Sequence, residues 1–159
     1  MKVKEIMTGN PSVCDLNESL SHAAKTMWEA DCGVLPVLKD GNEIVGLITD
    51  RDICMALAMR DCNAATVSAE EVITGEVYSV GPEDEIQKAL QVMQEHQVRR
   101  LPVVNAEGEL EGMLSMNDIV LQAQADGNDE EMTYADVVNT YKTICAHRAP
   151  PQLAAAAAV

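Results

Sequence analysis

Phenylalanine is absent from the 159-residue chain, which has one tryptophan (Trp28) and three tyrosines. Its core must therefore be aliphatic and thioether in character, drawn from nine Met and many Val, Ile, Leu and Ala. Positive charge is scarce. Eleven Lys and Arg stand against 26 Asp and Glu, a formal charge of −15. Such a surface repels phosphodiester backbones and anionic lipid, so nucleic-acid and membrane-surface partners are not expected. No apolar run approaches the roughly 20 residues a membrane span needs, and the opening Met1-Lys-Val-Lys-Glu-Ile-Met-Thr8 has no signal-peptide apolar region. The five cysteines (14, 32, 54, 62 and 145) are odd in number and include no CxxC, which points to free thiols in a reducing compartment, the cytoplasm. His22, His96 and His147 share no metal-ligand spacing with each other or with cysteine, so no metal site is expected. No nucleophilic triad, P-loop or Rossmann glycine pattern is readable.

What the chain does have is a repeat. Shifted by 66 residues, positions 6–58 align without a gap on 72–124, and twelve of the 53 pairs are identical. They include Thr8/Thr74, Gly9/Gly75, Leu35/Leu101, Pro36/Pro102, Val37/Val103, Gly46/Gly112, Asp52/Asp118 and Ile53/Ile119. Each copy reads as a short strand near 12–14 or 78–80, then an amphipathic helix on Leu20, Ala23 and Met27 or Ile86, Ala89 and Met93. An apolar strand through Leu-Pro-Val follows, then a turn at 40–42 or 106–108 and a strand at 44–48 or 110–114. A helix begins near Thr49 or Ser115. Proline in a strand suggests an edge, or a place where no ladder N–H is needed. The unit is β-α-β-β-α and about 55 residues long, too small for a generous core, so two copies should pack face to face. Ser68-Ala-Glu-Glu71 has the form of a capping box opening the second copy. Trp28 reads as a core-edge residue, and Cys32 as a thiol that is either buried or reactive.

The Ile6-Met-Thr8 and Val72-Ile-Thr74 openings, the paired Leu-Pro-Val, and the closing Gly46-Leu-Ile-Thr-Asp-Arg-Asp52-Ile53 and Gly112-Met-Leu-Ser-Met-Asn-Asp118-Ile119 together resemble a tandem CBS-domain pair, or Bateman module. The resemblance covers roughly residues 1–125 and extends to small stand-alone bacterial CBS-pair signal-transduction proteins. It implies an α/β fold of two β-α-β-β-α repeats related by a pseudo-twofold axis, and a homodimer. It also implies an adenosyl ligand (AMP, ADP, ATP, NAD or S-adenosylmethionine), with or without Mg²⁺, bound at composite sites. Site A would combine Leu47, Thr49 and Asp52 with Thr74, Val77, Val98 and Arg100. Site B would combine Met113, Ser115 and Asp118 with Thr8, Pro11, Cys32, Gly33 and Val34, with Arg99 reaching toward it. The chemistry suits the pattern. A helix start favours phosphate, a carboxylate can hold a ribose diol, and aliphatic walls can sandwich adenine. Arg100 predicts a phosphorylated ligand at site A. Arg51 is placed to point away. The plain alternative is a capping box with no ligand.

The ranges are 1–66 and 67–125 for the repeats, 126–132 for an acidic linker, 133–147 for a C-terminal helix and 148–159 for a low-complexity tail. The stripe Tyr134, Val137, Val138, Tyr141, Ile144 and Cys145 must be covered by the module or by a second subunit. The chain leaves no room for a catalytic barrel, so a sensor signalling to an unidentified downstream protein is expected rather than an enzyme. An adaptor dimer with vestigial sites is the competing reading.

Overall fold

A computed structural model of the chain describes residues 1–41, 43–73, 76–125 and 132–146. In chain order the strands and helices are β1 (Thr8–Gly9), β2 (Cys14–Asp15), α1 (Leu20–Glu29), β3 (Val34–Lys39), β4 (Glu43–Thr49), α2 (Asp50–Arg60), α3 (Ile86–His96), β5 (Arg100–Val104), β6 (Leu110–Ser115), α4 (Met116–Gln122) and α5 (Tyr134–Ile144). Short 3₁₀ turns stand at Val3–Glu5 and Ala69–Glu71. The helical periodicities expected for α1 and α3 bury Leu20, Ala23 and Met27, and Ile86, Ala89, Leu90 and Met93. Ser19 caps α1, its Oγ accepting from the His22 N–H at 3.3 Å. Ser68 and Glu71 form the expected box, the Ser68 N–H donating to Glu71 Oε1 at 3.1 Å, but around a 3₁₀ turn.

Two three-stranded sheets result, ordered β2-β3-β4 and β1-β6-β5. β3 is therefore central, while β5 stands at the end of its sheet, so for Pro36 the other expectation applies, a place where no ladder N–H is needed. The reason is visible in the second copy. The Val80 N–H donates to the Pro102 carbonyl at 3.1 Å, and the Val104 N–H donates to the Val80 carbonyl at 2.9 Å. The proline nitrogen is skipped, so the ladder loses nothing.

The decisive feature is an exchange of opening segments. Val3 is fully buried in the core of the second repeat, among Ile86, Met93, Leu101 and Leu114. Val67 and Ala69 are buried in the core of the first, among Leu20, Met27, Leu35 and Ile48. The hydrogen bonds repeat at the 66-residue offset. Val3 N–H donates to Asp84 O (2.9 Å) as Ala69 N–H does to Glu18 O (2.8 Å). Lys4 N–H donates to Pro82 O as Glu70 N–H does to Leu16 O, both at 3.0 Å. Ile86 N–H donates to Met1 O (3.0 Å) as Leu20 N–H does to Val67 O (2.9 Å). Lys2 and Lys4 also reach Glu83, and their ammonium groups hold its carboxyl down to about 2. Those charges are exposed, so the backbone bonds and the buried apolar groups do the holding.

The exchange explains the repeated glycine. A Cβ on Gly46 would stand 2.9 Å from Ile73 Cδ1, and one on Gly112 would stand 2.6 Å from Met7 Sδ and 2.9 Å from the Thr8 carbonyl oxygen. Each copy's opening segment lies directly against the other copy's last strand. The first copy's core also buries Cys14 completely, and burial together with the neighbouring Glu18 pushes its thiol up to about 12.

Trp28 is 87% exposed and not a core-edge residue. It sits on the outer face of α1, and Met55 and Met59 of α2 are also exposed. On the second repeat the corresponding face is covered by α5. Val137 and Thr140 are buried there, Gln94 Nε2 donates to Thr140 Oγ1 at 2.6 Å, and Gln97 Nε2 donates to the Thr143 carbonyl at 3.1 Å. The apolar stripe of α5 is thus only partly used, since Tyr134 and Val138 remain exposed. Within the expected acidic linker only Met132 is described, and the tail and His147 lie outside the described residues.

Gly112→Ala should cost about 1–3 kcal/mol in chemical denaturation, because the Thr8 carbonyl cannot move aside without disturbing β1. Gly9→Ala, with nothing within 4 Å of the new methyl, is the control and should be near neutral. Equal stability of the two variants would contradict the close packing of the exchanged segment.

Candidate functional site

Three helices begin with the same chemistry. Thr49 and Asp52 start α2: Asp52 Oδ2 accepts from the Thr49 N–H at 2.9 Å and from its hydroxyl at 2.6 Å, and the Asp52 N–H donates to Thr49 Oγ1 at 3.1 Å. Ser115 and Asp118 repeat this at α4 with 2.7, 2.6 and 3.4 Å. Thr133 and Asp136 repeat it at α5 with 2.9, 2.6 and 3.2 Å. The motif by itself is therefore a capping box. The first two boxes differ from the third in their setting, since each faces a cavity between the two repeats. In both, Asp Oδ1 accepts no hydrogen bond among the described residues.

The Asp52 cavity, about 640 Å³, is lined by Leu47, Thr49, Asp52, Val98 and Arg100 of the expected site A, together with Glu76, Tyr78, Glu95, His96 and Gln97. Thr74 lies outside the described residues. Val77 does not line this cavity; its neighbours Glu76 and Tyr78 do, as alternation along an extended segment requires. The Asp118 cavity, about 400 Å³, is lined by Thr8, Pro11, Cys32, Gly33, Val34, Met113, Ser115 and Asp118 of the expected site B, with Asn10, Ser12, Ala30, Asp31, Asn117 and Arg100 added. Both volumes suit a small organic ligand.

Arg99 does not line the Asp118 cavity itself. It borders a smaller hollow with Arg100, Ser115, Met116, Asn117 and Tyr141, and three of these (Arg100, Ser115 and Asn117) also line the Asp118 cavity. Arg100 borders both large cavities as well. Its guanidinium is lowered from its usual value by burial first and by the Arg99 charge second, with Asp50, Cys32 and Tyr141 opposing. Among the described residues it forms no ion pair. Arg51 is exposed and lines neither cavity.

The residues that sequence reasoning passed over were marked by the repeat itself. At the 66-residue offset, Glu76, Tyr78, His96 and Gln97 correspond to Asn10, Ser12, Ala30 and Asp31. They hold equivalent positions in the two cavities. Tyr78 and His96 stack with ring centroids 3.6 Å apart and planes 14° apart, and the Tyr78 hydroxyl donates to Glu76 Oε2 at 2.6 Å.

The sequence model of the family described as CBS domain matches residues 3–59 and again 69–123. The chain belongs to the CBS domain family. Hypoxic response protein 1 of Mycobacterium tuberculosis is 36% identical over 116 residues, spanning 73% of this chain and 80% of that protein. Its crystal structure, solved with two coordinated zinc ions, superposes with a TM-score of 0.71 at 34% identity, covering 78% of this chain and all of the other. Among the described residues here, no group of three or more His, Cys, Asp or Glu side chains is placed to hold a metal ion. The CBS pair of protein MJ0100, solved with 5′-methylthioadenosine and S-adenosylmethionine, is 26% identical with a TM-score of 0.69, covering 76% of this chain and 98% of the other. CBSX2 from Arabidopsis thaliana, solved with AMP, is 26% identical with a TM-score of 0.64, covering 76% and 93%. The two-sheet α/β architecture with a C-terminal helix is that of a tandem CBS pair.

Proposed function

We propose that this CBS pair is a regulatory module that binds adenosine compounds in the cavities between its repeats and has no catalytic chemistry of its own. The observation that carries the reading is Arg100. A half-buried guanidinium with no ion-pair partner among the described residues, shared by two cavities that each carry a Thr/Ser-x-x-Asp box, is a provision for a ligand anion. The free Oδ1 of Asp52 or Asp118 accepts from the ribose diol. Leu47 and Val98, or Met113 and Val34, sandwich the base. AMP, ADP, ATP, NAD and S-adenosylmethionine share these features, and Mg²⁺ would accompany the polyphosphates. Relatives solved with AMP or with S-adenosylmethionine support the class.

Because each cavity is walled by both repeats, a ligand that fits one relative placement better than another shifts the module toward it. A downstream protein would read that shift. No helix among the described residues is long and apolar enough to cross a membrane. The unpaired thiols suit a cytoplasmic setting.

We also propose that the chain forms a homodimer through the α1–α2 face. Trp28, 87% exposed, is equivalent to Gln94, which α5 contacts on the second repeat, and Met59 of the neighbouring α2 is 74% exposed. A second copy would do on the first repeat what α5 does on the second. Trp28→Glu with Met59→Glu should convert a dimer to a monomer in sedimentation velocity. A wild-type monomer, or an unchanged dimer in the variant, would contradict this.

A thermal-shift panel at fixed salt, with AMP, ADP, ATP, NAD, S-adenosylmethionine and GTP, tests the main reading. A ligand at 100 times its Kd adds about 2.7 kcal/mol, a rise of several degrees. At least one adenosine compound should produce it and GTP should not. Arg100→Gln should weaken a phosphorylated ligand by roughly 10-fold or more, the loss of one charge-assisted contact. A flat panel would favour the adaptor reading.

A further inference from the structure

The two cavities are equivalent in backbone and unlike in charge. In place of Asn10, Ser12 and Ala30 on the Asp118 side, the Asp52 side has Glu76, Tyr78 and His96. The Glu76 carboxylate is held by the Tyr78 hydroxyl at 2.6 Å, and the Tyr78 ring is braced by its stack on His96. Glu95, accepting from Gln91 Nε2 at 2.6 Å, adds a second carboxylate to the same wall. The Asp52 cavity thus carries two acidic groups beyond the one that reads ribose. The Asp118 cavity has amide and hydroxyl donors at Thr8, Asn10, Ser12 and Asn117, with Asp31 as its extra acid. Arg100 borders both cavities, so it does not separate them.

Resting on the reading that both cavities take adenosine compounds, we propose that the two have diverged in ligand charge. The Asp52 cavity takes a phosphate-free adenosine compound bearing a positive sulfonium or amine, and the Asp118 cavity takes a phosphorylated one. Glu76 and Glu95 repel a phosphate dianion and attract a cation. Donors from Asn10, Ser12 and Asn117, with Arg100, satisfy phosphate oxygens on the other side. This reverses the expectation that Arg100 alone sets up for the Asp52 site.

Isothermal titration of the full chain at low, fixed ionic strength, with S-adenosylmethionine and AMP as probes, tests the assignment. Asp118→Ala should abolish AMP binding and leave S-adenosylmethionine binding intact, and Asp52→Ala should do the reverse. Because both aspartates cap helices, Glu76→Gln with Glu95→Gln is the second test, on exposed side chains outside any cap. It should weaken S-adenosylmethionine at least fivefold and admit a second equivalent of AMP. AMP lost in Asp52→Ala but kept in Asp118→Ala, or a glutamine pair without effect on either probe, would overturn the charge assignment alone. If neither compound binds the wild-type chain, the adenosine reading fails and the assignment with it.

Discussion

Neither repeat closes its own core. The segment that opens the first repeat, with Val3 fully buried, completes the second, and the segment that opens the second, with Val67 and Ala69, completes the first. A single Val buried this way contributes about 1.5–3 kcal/mol, and each segment adds backbone bonds in the same register on both sides. A unit of about 55 residues is small for independent stability. The exchange makes one body of two such units and fixes how they face each other. Gly46 and Gly112 are the imprint of that constraint, because each lies where the other repeat's chain passes too close for a side chain.

The cavities follow from the same arrangement. Each is walled by the last strand and helix start of one repeat and by the opening segment, helix end and Leu-Pro-Val strand of the other. The Thr49–Asp52 and Ser115–Asp118 boxes first serve the helices, satisfying end groups through one carboxylate oxygen. The second oxygen accepts no hydrogen bond among the described residues, and in the proposed reading it is the one a ligand would use. The Thr133–Asp136 box shows the cap alone, on a helix whose work is packing against α3 and α4.

Much of this was legible in the sequence. The gapless offset of 66, with Leu-Pro-Val and Gly46/Gly112 in both copies, gave the repeat, the order of elements and the helix starts. The exchange was not legible, because an offset is the same whether a segment packs on its own copy or on the other. Pro36 suggested either an edge or a place needing no ladder N–H, and β3 is central because a parallel neighbour can bond around a proline. Trp28 looked like a core-edge residue from its helical spacing, and only the burial of α1 on its opposite face corrected that. The resemblance set Arg100 at the Asp52 site and Arg99 toward the other. The sequence did not reveal that Arg100 borders both cavities and also shares the smaller hollow beside Tyr141 with Arg99. The acidic wall of the Asp52 cavity was present at the repeat-equivalent positions of Asn10 and Ser12, but identical pairs attract notice and dissimilar ones do not.

Native-state hydrogen exchange tests the exchange of opening segments most directly. The amides of Val3, Leu20, Ala69 and Ile86 each bond across the boundary between the repeats. If the repeats form one cooperative body, all four should open only with global unfolding, at the same free energy as the amides of β3 and β5, even though Val3 is close to the chain terminus where fraying is the rule. Opening of Val3 and Ile86 at a free energy well below that of Leu20 and Ala69 would show that the second repeat is closed without the first repeat's segment, and would contradict the account.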